Sequence, residues 1–116
     1  MERALRRNQR RRVPRVPVDL PVTVTWKKKN FPCHARQLSE FGILLASDHK
    51  ELVGEDIRLK LDLDAPNRSL SLAGIVVYAI EKGIGVRFEA VSPEDQPVLK
   101  SYVQARGIGV EKPALT

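Results

Sequence analysis

The sequence has very little cysteine and few aromatic residues. Cys33 is the single cysteine among 116 residues, which excludes a disulfide framework and favours a reducing compartment, the cytoplasm. Aromatic residues make up only 5% of the chain, and this scarcity argues against a stacking surface for nucleic acid. Apolar runs are far shorter than the roughly 20 residues that span a bilayer. The N-terminus also lacks the apolar core of a secretory signal, so no membrane insertion is expected.

The chain also lacks the residue sets of common metal and catalytic sites. A structural zinc site needs four ligands at recurring spacings, and the chain offers Cys33, His34 and His49. The neighbouring carboxylates at 62–64 and 94–95 are explained by an exposed strand face and by the start of a helix. Neither type of glycine-rich phosphate loop occurs. The sequence therefore predicts a protein that is not an enzyme and holds no metal and no resident cofactor.

Positive charge is concentrated at the N-terminus. Residues 1–15 contain seven arginines and one acid, whereas the rest of the chain has equal numbers of basic and acidic side chains. This segment therefore accounts for the whole net charge of +6. Guanidinium groups bind phosphate bidentately and stack on flat bases, so the segment suits an anionic partner. A solvated basic tail is the alternative that charge alone leaves open.

After the basic segment, apolar and polar residues alternate along most of the chain. The alternation places Val76, Tyr78 and Ile80 on one face of a single strand. In all it predicts six strands, over residues 20–26, 31–36, 43–46, 57–63, 70–80 and 84–88. Short turns between strands favour antiparallel pairing, and closure into a barrel would remove exposed edges. The predicted fold is all-β with a C-terminal helix: a six-stranded antiparallel β-barrel.

One helix is predicted, at the C-terminal end. Ser92 suits an N-cap, the regular helix should begin near Pro97, and Gly107 is a natural end. These limits divide the chain into three parts: a flexible arginine-rich arm at 1–12, a barrel with its helix at 13–107, and a frayed tail at 108–116.

Two weak motifs become specific through their order in the sequence. Arg11 and Arg15 lie four residues apart, and Ser39 and Gly42 follow one predicted hairpin later. Because an antiparallel hairpin returns the chain towards its start, the two regions should meet. Guanidinium groups, a hydroxyl and a glycine would then surround a phosphorylated ligand with flat bases. Taken alone, Ser39 and Gly42 also fit an ordinary loop with a glycine of positive φ.

These residues resemble the PilZ domain family. The resemblance covers residues 10 to about 105, and four segments carry it: Arg10-Arg11-x-x-x-Arg15, Pro21–Val24, Leu38–Ile43 and Gly83–Phe88. It implies a six-stranded barrel with a C-terminal helix. It also implies binding of the bacterial second messenger cyclic di-GMP.

The resemblance further implies roles for single residues. Arg11 and Arg15 match the arginines that hold phosphate and the Hoogsteen edge of guanine, and Ser39 and Gly42 match the motif positions beside the nucleotide. Arg10 matches a position where a basic residue is associated with binding an intercalated dimer of the nucleotide. A cyclic di-GMP ligand is therefore expected either singly or as that dimer.

Gln37 is the one departure from the motif, since the family has Asp or Asn there to contact guanine. Glutamine is one methylene longer and lacks the charge of aspartate. A lost contact would cost on the order of 1–3 kcal/mol, or about ten- to a hundredfold in affinity. The first hypothesis is a receptor that orders its N-terminal arm on binding and so changes the surface offered to an unidentified protein partner. Motility and biofilm control are the processes expected for such a protein. The alternative is an adaptor of the same fold whose nucleotide binding is weak or lost.

Overall fold

The computed structural model describes residues 15–64 and 67–115, with side chains described up to residue 106. Over these ranges it forms six strands and one long helix: β1 (Val16–Trp26), β2 (Lys29–Leu38), β3 (Gly42–Ala46), β4 (Asp56–Asp64), β5 (Asn67–Ile80), β6 (Gly83–Val91) and α1 (Gln96–Leu115). A short 3-10 turn, Lys50–Leu52, joins β3 to β4. The predicted all-β fold with a C-terminal helix is confirmed. The predicted arm at 1–12 lies outside the described residues.

The six strands close into an antiparallel barrel in the order β1-β2-β3-β6-β5-β4. The barrel closes between β1 and β4, where Val22 lies opposite Leu61. Each strand therefore pairs on both sides, which removes the exposed edges of an open sheet. The predicted barrel is confirmed.

The core follows from the alternation of apolar residues along the strands. One face of each strand points into the barrel, and α1 adds Leu99, Tyr102 and Val103 to the same cluster. The side chains with no exposed surface include Val24, Leu45, Leu52, Leu61, Leu70, Val76, Ile84 and Val103. Each such side chain contributes roughly 1.5–3 kcal/mol through burial of apolar surface.

The strand pairing has four shifts of register, and two of them interrupt the alternation of side chains near the ends of β2 and β5. The register shifts between Ala35 and Gln37 in β2 and between Val76 and Tyr78 in β5. Val76 is fully buried, whereas Tyr78 is 39% exposed. The prediction that these two residues share a face is wrong, because one extra residue turns the following side chains to the opposite face.

The helix α1 begins where the sequence predicts and ends later. Ser92 Oγ accepts a hydrogen bond from the backbone N–H of Asp95 at 3.2 Å, and the regular helix starts at Gln96, next to Pro97. The predicted end at Gly107 is wrong, since the helix continues to Leu115. A glycine inside a helix costs only about 1 kcal/mol relative to alanine, which does not by itself end the helix. Fraying of residues 108–116 stays a prediction.

Three polar contacts attach α1 and the turn before it to the hairpin of β4 and β5. Arg68 Nη2 lies 2.7 Å from Asp95 Oδ1 at the start of the helix. Further along, the Tyr102 hydroxyl donates to Asp64 Oδ1 at 2.7 Å, and Arg106 Nη2 donates to the same oxygen at 2.9 Å. The hydrogen bond from Tyr102 is the main reason that the pKa of Asp64 is lowered. Both ends of this part of the helix are therefore fixed to one hairpin.

The attachment of Tyr102 predicts a loss of stability at alkaline pH. Burial, followed by the hydrogen bond to Asp64, raises the pKa of Tyr102 from 10.0 to about 12. A group whose pKa is raised by folding contributes stability that is present below its unfolded pKa and is lost as the pH rises through its folded pKa. The free energy of unfolding, measured by denaturant titration, should therefore fall between pH 10 and about 12.

The two tyrosines of the chain provide the control for this expectation. Tyr102→Phe removes the ionisable hydroxyl and should reduce the alkaline loss of stability. Tyr78→Phe removes a hydroxyl from an exposed ring and should leave that loss unchanged. An alkaline loss of the same size in Tyr102→Phe would contradict the assignment.

Candidate functional site

A pocket of about 370 Å³ lies on the outer wall of the barrel, where β1 begins and β2 ends. Its lining, which defines what is called here the outer pocket, includes Arg15, Gln37, Ser39, Phe41, Gly42, Leu44, Val77, Tyr78 and Arg87. The residues that flank Leu44 on β3 point into the core, so Leu44 itself faces outward. The outer pocket therefore opens on the outside of the barrel, and the core residues Leu38, Ile43 and Val86 form its floor.

The β1–β2 hairpin brings the two motif regions together. Val16, at the start of β1, pairs with Leu38, at the end of β2. Arg15 and Ser39 are the next residues outward from this pair, and both line the outer pocket. The predicted meeting of the arginine segment and the serine–glycine loop is thus observed for Arg15. Arg10 and Arg11 lie outside the described residues, and their part in a site stays a prediction.

The Ser39 hydroxyl holds the loop between β2 and β3 in shape. Its Oγ accepts hydrogen bonds from the backbone N–H groups of Phe41 and Gly42, each at 3.1 Å. The backbone N–H of Ser39 donates to the Gly42 carbonyl oxygen at 2.9 Å. The residue is buried, whereas Phe41 at the tip of the loop is 60% exposed. Ser39 therefore fixes the shape of one side of the outer pocket.

Gly42 is required by a close approach between strands. A Cβ atom at this position would lie 2.6 Å from the carbonyl oxygen of Val86 on the neighbouring strand β6. Among the described glycines, positive φ angles occur at Gly54 and Gly83. The alternative of a positive-φ turn glycine at position 42 is therefore wrong. Because Gly42 pairs with Arg87, the close approach also sets the position of Arg87 in the outer pocket.

The pocket lining also includes residues that were not predicted for the site, among them Phe41, Leu44, Val77, Tyr78 and Arg87. The outward direction of Arg87 follows from the alternation along β6, but its place beside Gly42 depends on strand pairing. The outward direction of Tyr78 depends on the bulge in β5, which the alternation of residues did not predict. Phe41 and Arg87 lie within the segments Leu38–Ile43 and Gly83–Phe88 that carry the family resemblance, but the resemblance implied no ligand role for either residue.

The outer pocket combines cationic and apolar surface. Its described lining residues include Arg15 and Arg87 and no acid, and Leu44, Val77 and Tyr78 supply apolar surface. Gln37 is exposed at the edge and offers an amide with both a donor and an acceptor. Arginines beside an apolar wall suit an anionic ligand that also has flat, poorly hydrated faces.

Other kinds of site find no support within the described ranges. These residues contain no group of three or more His, Cys, Asp and Glu side chains that could hold a metal ion. Burial raises the pKa of the Cys33 thiol, which opposes formation of the nucleophilic thiolate. None of the helical segments described is both long and apolar enough to cross a membrane.

A closed six-stranded antiparallel barrel with a C-terminal helix is the fold of a class of small β-barrel domains, and in this chain it carries a pocket on its outer wall. The model of the PilZ domain matches residues 9–105, and the chain therefore belongs to the PilZ domain family. This is a family of cyclic di-GMP receptors and adaptors, in which the domain binds rather than catalyses.

Among the solved structures that share this fold, two are described here. The first, the Bacillus subtilis inhibitor of motility MotI/DgrA, gives a TM-score of 0.75 at 20% identity, over 87% of this chain and 53% of that chain. This chain thus spans about half the length of MotI/DgrA. The second, the PilZ domain of YcgR from Escherichia coli with c-di-GMP, gives a TM-score of 0.65 at 16% identity, over 91% of this chain and 98% of that chain. Comparison with curated proteins found no match.

Proposed function

We propose that this protein is a receptor for cyclic di-GMP and that the nucleotide binds in the outer pocket. The observation that supports the proposal most directly is that Arg15 and the loop from Ser39 to Gly42 line one pocket. Membership of the PilZ family agrees with it. So does the likeness in fold to the YcgR domain, whose structure contains c-di-GMP.

In this proposal Arg15 binds a phosphate or the edge of a guanine. Ser39 and Gly42 act by shaping the loop and by letting β3 lie close to β6. Arg10 and Arg11 precede Arg15 by five and four residues. A chain of four residues reaches about 13 Å when extended, so their guanidinium groups can reach the pocket from the point where β1 begins.

Binding would act as a signal by fixing the residues before Arg15 against the barrel. Phe41 and Tyr78, which are exposed around the outer pocket, would then be covered by nucleotide and chain. The surface offered to a protein partner changes as a result. Fixing the backbone costs about 1–2 kcal/mol for each residue, so the measured affinity is what remains after that cost.

Isothermal titration calorimetry of the full chain with cyclic di-GMP tests the proposal. The expected result is saturable heat, with one nucleotide per chain for single binding and two for the intercalated dimer. GMP is the control ligand, because it carries one base and one phosphate in place of the cyclic pair. Folded protein that gives no heat at high micromolar cyclic di-GMP would reject the proposal.

An adaptor with weakened nucleotide binding is the second candidate, and the presence of Gln37 in the lining of the outer pocket favours it. Its glutamine side chain stands where the family motif has Asp or Asn. If this substitution has eroded the site, Gln37→Asp should raise the affinity for cyclic di-GMP by roughly ten- to a hundredfold. Calorimetry measures the change.

Gln104→Asp is the matched control, because it makes the same chemical change at an exposed position on α1. It should leave the affinity unchanged. Gln37→Asn has the length of the motif side chain without its charge, and so separates the two properties. An unchanged affinity in Gln37→Asp would count against the eroded-site candidate.

A further inference from the structure

Tyr78 stands on the outer wall of the barrel and is not part of the core. The bulge after Val76 turns its side chain outward, and the ring remains 39% exposed. Across the β5–β6 pair it lies opposite Gly85. Its position on the wall of the outer pocket is therefore set by two strands.

The ring lies with its face over Gly85. A Cβ atom built at position 85 would clash with Cζ and with both Cε atoms of the ring, at nearly equal distances from the three. Such similar distances to three ring atoms place that point above the plane of the ring, since an approach along the edge would be much closer to one atom than to the others. One face of Tyr78 thus rests on backbone. Because that face is covered, the exposed surface of the residue lies on the opposite face and the ring edges.

The surroundings of this ring suit a flat, charged ligand. Leu44 and Val77 line the same pocket, and Leu44 is only 7% exposed although it points outward. Arg15 and Arg87 bring positive charge to the same space. A base that lay on the free face of Tyr78 would therefore have apolar contacts beside it and cations near its phosphates.

We propose that Tyr78 is the residue on which a guanine base of the nucleotide stacks, an inference that rests on the function proposed above. Gly85 and the bulge hold the ring in place before any ligand arrives, so little conformational freedom is lost on binding. Phe41 is the other exposed aromatic residue of the pocket, but it lies at the tip of a loop and is 60% exposed. Of the two rings, that of Tyr78 is held more firmly in position for stacking.

Calorimetry with cyclic di-GMP on Tyr78→Leu and Tyr78→Phe tests this role. Loss of base stacking in Tyr78→Leu should weaken binding by about 5- to 150-fold. Tyr78→Phe keeps the aromatic face and should bind within about twofold of the wild type. Ile80→Ala is the matched control, because it removes a similarly exposed apolar side chain of β5 that does not line the outer pocket.

Proton NMR of the wild type tests the role of Tyr78 even if the Tyr78→Leu variant is poorly folded. The chain has two tyrosines, so the ring protons of Tyr78 are assigned by comparing spectra of the wild type and Tyr78→Phe. Stacking predicts upfield shifts of these protons that saturate together with the calorimetric heat.

The outcomes separate this inference from the function on which it rests. Binding by the wild type without ring-proton shifts, or with equal affinity in folded Tyr78→Leu, would overturn the role of Tyr78 alone. No binding by the wild type would overturn both.

Discussion

Replacing Arg15 by alanine should weaken the binding of cyclic di-GMP by about ten- to 150-fold. Hydrogen bonds to a charged group contribute roughly 1.5–3 kcal/mol, and the guanidinium group can make two of them to one phosphate. Arg15 is exposed and precedes β1, so its side chain supports no part of the core. The loss should therefore appear in the calorimetric dissociation constant and not in the melting temperature.

Arg58→Ala is the matched control for this variant. Arg58 is an exposed arginine of β4 and belongs to a different surface depression, with Lys27 and Glu89. The Arg58→Ala variant removes the same charge as Arg15→Ala and should leave the affinity for cyclic di-GMP nearly unchanged. An equal loss in both variants would indicate a general effect of net charge, which would contradict a specific contact by Arg15. Arg15→Lys keeps the charge without the planar fork, and should recover only part of the affinity.

The second large effect is expected in Gly42→Ala, which should lower the stability of the fold whether or not a ligand is bound. The added methyl group would lie 2.6 Å from the backbone oxygen of Val86, so β3 and β6 would have to separate. We expect a loss of about 2–4 kcal/mol in the free energy of unfolding without any ligand present. Thermal melting of the protein alone measures it, and a drop of roughly 10 °C or more is expected.

Gly54→Ala separates crowding from the backbone preference of glycine. Gly54 has a φ of +90° and open space around its Cβ position, so its replacement costs only the backbone strain, about 1–2 kcal/mol. Gly42→Ala should be the more damaging of the two. If Gly42→Ala instead melted like the wild type and lost nucleotide binding, Gly42 would be a ligand contact and its structural role would be wrong.

The features that the sequence predicted correctly are those that depend on local periodicity and on chain order. Alternation located six strands and, except beyond the bulge in β5, their inward faces, and Ser92 with Pro97 located the start of α1. The meeting of Arg15 with the Ser39 loop was predictable because a hairpin must return the chain to its own beginning. None of these inferences required knowledge of which distant strands pair.

The features that were missed depend on long-range register. The bulge in β5 reversed the direction of Tyr78, and no local pattern marks the position of the extra residue. The crowding at Gly42 arises from β6, a strand more than 40 residues further along the chain. The pairing of β3 with β6 also places Arg87 in the outer pocket. Residues contributed by distant strands were therefore the part of the candidate site that sequence reasoning could not supply.

Because the outer pocket lies on the outside of a closed barrel, a molecule could enter it without separating any pair of strands. Occupancy would add to stability only by mass action and would need no opening of the fold. The occupant would also stay at the protein's boundary with solvent. If the proposed nucleotide binds there, a partner protein would contact nucleotide and polypeptide on one continuous surface.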